Sequence, residues 1–272
     1  MNIKNKLNKN IYLDNDLVLF ANELADLSEK IIHKYFRSDA LQDFEKDDAS
    51  PLTIADTEVE QALRNLIEQR YPEHGIHGEE FGETSGNSPY KWYIDPIDGT
   101  SSFVCGKPIF TTLIALTYEQ KPIFGIINQP ILKERWQGGD AFQTNLNGSN
   151  ISTRQIAQLA DAIFCTTSPY LFNEQQLKKF ESIKAQTKYQ KYGGVFFGGD
   201  SYSYGLLASG HVDIILEAGL KAHDFLALAP VVSSAGGIIS DWQGNPLEEY
   251  SNGEVLACGS KEIHQQVLEL LR

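Results

Sequence analysis

Nine consecutive residues, Asp95-Pro96-Ile97-Asp98-Gly99-Thr100-Ser101-Ser102-Phe103, constrain this chain more than any other stretch. They set two carboxylates three positions apart directly after the apolar run Lys91-Trp92-Tyr93-Ile94, which reads as a buried strand. Pro96 is expected to end that strand, and Gly99 permits a sharp turn where backbone can approach a ligand. Two acidic side chains at a strand's carboxyl end suit a divalent cation, and with it phosphate chemistry.

The surrounding sequence reads as an α/β protein of alternating helix and sheet layers. Helical spacing runs over Asp14 to Phe36, through Leu17, Phe20, Leu24, Leu27, Ile31 and Ile32, and again over Asp56 to Tyr71. A charged stretch, Arg37 to Ser50, separates them, and Pro72 ends the second. The pattern then turns β-rich: Phe110 to Tyr118 and Ile123 to Ile127 flank a short turn, Glu119 to Pro122, as in a hairpin. Beyond Ser152 it alternates, with strands expected at Ala162–Thr166, Val195–Phe197 and Val212–Leu216, and helices at Glu174–Gln186, Ser203–Ser209 and Phe225–Ala235. A junction near Asn145 to Ser152 divides the chain into an α+β lobe, 1–148, and an α/β lobe, 149–272.

With 272 residues, 42% hydrophobic and 22% charged, the chain can bury a large core. A net charge of −13 without a basic stripe speaks against nucleic-acid partners. No stretch is long enough to cross a bilayer, so no membrane partner is expected. Met1 to Asn10 lacks an apolar core of a secretion signal, and Cys105, Cys165 and Cys258 are odd in number and widely spaced. A cytoplasmic setting with unpaired, buried cysteines is the expectation.

Three further segments carry acidic residues beside permissive backbone: Thr53-Ile54-Ala55-Asp56, Gly78-Glu79-Glu80, and Lys221-Ala222-His223-Asp224 ahead of Ala235-Gly236-Gly237. Taken singly, Asp56 and Asp224 also suit helix caps, and Glu79 and Glu80 a solvated turn. His74 and His77 read as solvated loop residues, and His223 as structural or as support for its neighbour.

Taken together, and in this order, these segments and the central nonapeptide resemble the inositol monophosphatase superfamily, from about Ser50 to Gly244. Ser50-Pro51-Leu52-Thr53-Ile54-Ala55-Asp56, Gly106-Lys107-Pro108, Glu134-Arg135-Trp136, Gly198-Gly199-Asp200 and Glu217-Ala218-Gly219-Leu220-Lys221 look most like its histidinol-phosphatase branch. The resemblance implies a five-layer α/β sandwich, a homodimer, and Mg²⁺-dependent hydrolysis of a small phosphorylated substrate with two or three Mg²⁺ per site. It also implies roles. Glu79, Asp95 and the carbonyl of Ile97 would hold one ion, and Asp95, Asp98 and Asp224 a second. Glu79 and Thr100 would orient the attacking water, with Asp56 pairing to Thr100. Main-chain amides of Gly99, Thr100 and Ser101 would grip phosphate.

Glu217 and Asp200 match positions facing the alcohol portion of the substrate, and Asp200 stands where inositol enzymes carry a small neutral residue. Two carboxylates there suit a cationic group, and L-histidinol phosphate carries an ammonium and an imidazole where an inositol ring is a neutral polyol. Asp200 also suits a cap for the helix near Tyr202. Trp136 and Tyr202 could stack on an imidazole, or simply pack. An inositol or other small sugar or nucleotide phosphatase is the alternative, and a catalytically silent metal-dependent binding protein the lesser one. The chain departs from many members at His223-Asp224, where they carry Trp-Asp. Phe225-Leu226-Ala227-Leu228 is also bulkier, which bears on pocket shape.

Overall fold

The computed structural model describes residues 13–45, 51–140, 142–188 and 195–272. Residues 46–50 of the expected charged stretch, and with them Ser50, lie outside these. The elements in chain order are α1 (Asn15–Tyr35), β1 (Asp43–Glu45), β2 (Pro51–Thr53), α2 (Ile54–Arg70), β3 (Gly75–Gly78), β4 (Gly82–Thr84), β5 (Tyr90–Asp98) and α3 (Thr100–Val104). There follow β6 (Thr111–Tyr118), β7 (Lys121–Gln129), β8 (Glu134–Gly139), β9 (Phe142–Leu146), β10 (Ser149–Asn150), β11 (Phe164–Thr166), α4 (Glu174–Lys184) and β12 (Val195–Phe197). The last are α5 (Asp200–Ala208), β13 (Ile214–Glu217), α6 (Ala222–Phe225), α7 (Leu228–Ser234), β14 (Ile238–Ser240), β15 (Val255–Cys258) and α8 (Lys261–Leu271).

Eight strands form one sheet in the order β10-β9-β8-β7-β6-β5-β3-β4, and five form a second in the order β12-β11-β13-β15-β14. The larger sheet is antiparallel except where β3 runs parallel to β5. Three buried clusters show the layering. One joins α1 and α2 to a face of the large sheet through Phe20, Leu24, Leu63 and Trp92. A second joins its other face, at Tyr93, Leu113 and Ile127, to α5, α7 and the small sheet. The third covers the small sheet's far face with α4 and α8. Helix, sheet, helix, sheet, helix is the five-layer arrangement expected from the sequence. No helix among the described residues is long and apolar enough to cross a membrane.

Two expectations need correction. Pro96 does not end β5, which continues to Asp98. A register irregularity against β6 between Asp95 and Asp98 leaves Pro96 with no ladder bond to donate, while its carbonyl accepts from Thr112 Oγ1 at 2.8 Å. The helix expected over Phe225–Ala235 is two, α6 and α7. A helical Pro230 would set its ring against the carbonyl of Leu226, so the chain breaks there and restarts with Pro230 in the first turn, where no amide partner is needed.

The helix starts are locally encoded. Asp14 accepts from the Leu17 amide at 2.9 Å, and Thr53 caps α2 in a box completed by Asp56. The second helix thus begins two residues before Asp56.

Candidate active site

Asp95 and Asp98 sit on either side of the β5 irregularity, and Asp224 comes from α6 in the middle layer. Together they offer three carboxylate oxygens all within 4.8 Å of one another. Asp95 is buried, and its Oδ1 accepts from the Ile97 amide at 3.1 Å. Asp98 Oδ2 accepts from the main-chain N–H of Ser201 at 2.7 Å and from the Ser201 hydroxyl. Asp224 Oδ2 accepts from the Lys221 amide at 2.7 Å, so the cap reading of that residue holds alongside its place in the cluster.

Electrostatics shows what such a cluster suits. Burial raises the Asp95 carboxyl well above the ordinary range, reinforced by Glu79, Asp98 and Asp224. Burial does the same to Asp98, reinforced by Asp200 and Asp224 and opposed by Ser201. Asp224 is raised by burial, against the pull of His223. At such spacing each ionised pair repels by about 3–4 kcal/mol at an effective dielectric of ~20. Among the described residues no lysine or arginine forms an ion pair with any of the three, and His223 Nε2, 3.4 Å from Asp224, is the only basic group in contact. Oxygen-only donors, clustered and short of positive charge, fit a hard divalent cation.

Glu79 follows β3 and lies close enough to Asp95 to raise its carboxyl by charge and hydrogen bonding. Gly99 adopts the left-handed conformation (φ 84°) and leads into α3 without a side chain to cap it. The hydroxyl of Thr100, expected to pair with Asp56, instead donates to the Ile97 carbonyl at 3.0 Å. Asp56 is occupied differently: its Oδ2 accepts from the amide and hydroxyl of Thr53, at 2.8 and 2.6 Å. A threonine hydroxyl has one proton to give, and here the carbonyl three residues back takes it.

A cavity opens beside the aspartates, lined by Asp98, Thr167, Leu171, Asp200, Ser201, Tyr204, Glu217, Leu220, Asp224 and Leu228. It brings both expected substrate residues beside Asp98 and Asp224 of the acidic cluster. Asp200 is not the cap of α5, a position held by Gly199; it is the first helical residue, at φ 39°. A β-carbon on Gly99 would meet Asp200 Oδ2 at 2.8 Å, so glycine keeps the two segments in contact. Burial pushes Asp200 up to about 6 and Glu217 up to about 8, although Thr167 donates its amide to Glu217 at 2.7 Å.

Thr167, Ser201 and Tyr204 were not singled out from sequence. Only Tyr204 had a local signal, four residues after Asp200 and hence on the same face of α5. The aromatic residues considered for stacking pack elsewhere: Trp136 is buried with its indole on Ser209, and Tyr202 donates to Glu134. His74 and His77, expected as solvated loop residues, are half-buried, and His77 lies on β3. His74 lies between the rings of Tyr71 and Tyr90, and His77 stacks on His223 at 5.8 Å. Of the cysteines, Cys165 and Cys258 are buried and Cys105 is exposed.

The inositol monophosphatase family model matches residues 14–272. The chain is 48% identical over 270 residues to the bifunctional phosphatase IMPL2 (chloroplastic) of Arabidopsis thaliana, covering 95% of this chain and 76% of that protein. It is 32% identical to the histidinol-phosphatase of Chlorobaculum parvum, over 90% of this chain and 93% of that one. A solved inositol monophosphatase from Zymomonas mobilis superposes with a TM-score of 0.83 at 40% identity, covering 94% of this chain and 97% of that one.

Proposed function

The chain belongs to the inositol monophosphatase family, and from that membership we propose that it is a Mg²⁺-dependent phosphomonoesterase acting on L-histidinol phosphate. The observation that carries the substrate is a pair of carboxylates, the buried Glu217 and the half-buried Asp200, in the cavity beside Asp98 and Asp224. Burial holds both well above their ordinary range, so an occupant bearing an ammonium or imidazolium would favour their ionised forms. Leu171, Leu220 and Leu228 give the same cavity an apolar side suited to a carbon chain and ring, not to a polyol. Likeness to IMPL2 and to histidinol-phosphatases supports the reading.

In this reading Asp95, Asp98, Asp224, Glu79 and the Ile97 carbonyl would hold the metal. Bound there, Mg²⁺ supplies charge neutralisation and acidifies a water molecule. Glu79 and Thr100 orient the attacking water. The free amides of Gly99, Thr100 and Ser101 bind phosphate at the uncapped start of α3. Ser201 keeps Asp98 aimed by two donated hydrogen bonds. Glu217 and Asp200 hold the cationic end of the substrate so that its phosphate faces the aspartates.

A second reading, hydrolysis of inositol phosphate, is favoured by the 40% identity to the Zymomonas mobilis enzyme. Phosphate release from L-histidinol phosphate and from myo-inositol 1-phosphate, measured side by side with Mg²⁺ and with chelator, separates the two. Preference for the inositol ester would overturn the substrate, and turnover in chelator the metal.

A further inference from the structure

Helix α2 carries a glutamate and an arginine one turn apart, Glu60 and Arg64, the kind of pair usually found on a solvated helix face. Here the face is turned inward: the side chain of Glu60 is fully buried and that of Arg64 is 6% exposed. A buried ion pair is costly to desolvate unless its remaining donors and acceptors find partners. All the partners lie in one short segment. Beyond the 2.7 Å bond from Arg64 Nε, the Glu60 carboxylate accepts the main-chain N–H of Glu80 at 2.7 Å and of Phe81 at 3.1 Å. Arg64 donates to Thr84 Oγ1 at 3.1 Å and to the Gly82 carbonyl. The pair therefore grips the turn from β3 into β4.

That turn contains Glu79. The amide of Glu79 is fixed from the other side, donating to the Ile94 carbonyl at 3.1 Å, immediately before Asp95 in β5. The residue before it is shaped by the same contact: a β-carbon on Gly78 would lie 2.0 Å from Glu60 Oε1. Gly78 thus leaves room for the carboxylate that anchors the next residues.

We propose that the Glu60–Arg64 pair is a positioning element for the Glu79 carboxylate, setting its distance from Asp95 and hence the affinity of the site for divalent metal. The inference rests on the reading of Glu79 as a ligand. Glu60→Gln keeps shape but turns one acceptor oxygen into a donor facing an amide.

The test is Mn²⁺ binding followed by electron paramagnetic resonance of the free ion, below the unfolding temperature of each variant. Glu60→Gln is expected to weaken binding by about 10–100-fold, the usual cost of losing a group that orients a ligand. Thr84→Val, which removes one Arg64 partner at an exposed position, is expected to weaken it by a smaller factor and answers for the case in which Glu60→Gln does not fold. Asp213→Asn is the control. Asp213 is as buried as Glu60 and paired with Arg154, but is not part of the cavity. It should lower thermal stability and leave Mn²⁺ affinity unchanged. Unchanged affinity in the folded variants, or an equal loss in Asp213→Asn, overturns the proposal. Failure of the wild-type protein to bind Mn²⁺ would overturn the metal reading itself and this inference with it.

Discussion

Ser201 donates both its main-chain N–H and its hydroxyl to Asp98 Oδ2, joining α5 to the end of β5 across 103 residues of sequence. One acidic oxygen of the cluster is thereby aimed by a residue from the other side of the cavity. Ser201→Ala keeps the amide bond and loses the hydroxyl. A hydrogen bond to a charged group is worth ~1.5–3 kcal/mol, or roughly a 10–100-fold change. A Mg²⁺ titration of phosphate release should show a higher half-saturating concentration by about that factor, with the circular dichroism spectrum unchanged.

Asp98→Asn should separate stability from turnover. It removes one charge from a cluster whose members raise one another's carboxyls. In chelator the variant should melt higher than wild type, by roughly 2–4 °C per kcal/mol of repulsion relieved in a chain of this size. In Mg²⁺ the order should narrow or reverse, because the wild type gains more from the ion. Phosphate release should fall by about 10²–10³-fold, as expected when a group acting on the transition state is lost. Differential scanning calorimetry with and without metal checks both signs.

Stability should fall with rising pH in the metal-free protein. The Glu217 carboxyl is pushed from 4.5 up to about 8, chiefly by burial. Between those values the native protein holds a proton that the unfolded chain has released. Its contribution is therefore full below about pH 4.5 and lost as pH rises through about 8. The effect is on the order of a few kcal/mol. Urea midpoints measured in chelator from pH 5 to 8 should decline, and Glu217→Gln should flatten the slope. A midpoint that rises over this range would reverse the assignment.

Substrate discrimination should reside in Glu217 and Asp200. Glu217→Gln and Asp200→Ala each remove a carboxylate from the cavity, where the proposed substrate would place its cationic end. Losing one partner of a buried charged pair costs about 2–5 kcal/mol, so kcat/KM for L-histidinol phosphate should drop by ~30-fold or more. Hydrolysis of a phosphomonoester that carries no cationic group, such as p-nitrophenyl phosphate, should change far less. Equal losses on both substrates would place these residues in general architecture.

The sequence made much of this site legible because Asp95, Asp98, Gly99 and Thr100 are consecutive or nearly so, and because Gly78-Glu79 and Asp224 bring their own local signatures. Helices α1 and α2 were legible for the same reason: apolar spacing and caps are local. What escaped depended on distance. Nothing beside Ser201 points to Asp98, and nothing in Thr167 announces the carboxylate of Glu217 that it supports. Glu60 and Arg64 carry no local mark of burial; the β3–β4 turn, which covers them, supplies it. The Thr100 hydroxyl turned back to the Ile97 carbonyl in β5, and Pro96 stayed within the strand because an irregularity removed the need for its amide. Local reading also joined α6 to α7, overlooking what Pro230 does four residues upstream.

The close approach of Gly78 to Glu60 makes the two positions a single evolutionary variable. A side chain at 78 collides with the carboxylate while residue 60 is glutamate; a shorter residue at 60 makes space but gives up the hold on Glu80 and Phe81. The steps must therefore come in a fixed order, shortening at 60 before growth at 78. The intermediate carries a loosened turn beside the catalytic centre. Such a path runs downhill in fitness before it can recover, which leaves this pair of residues an epistatic lock.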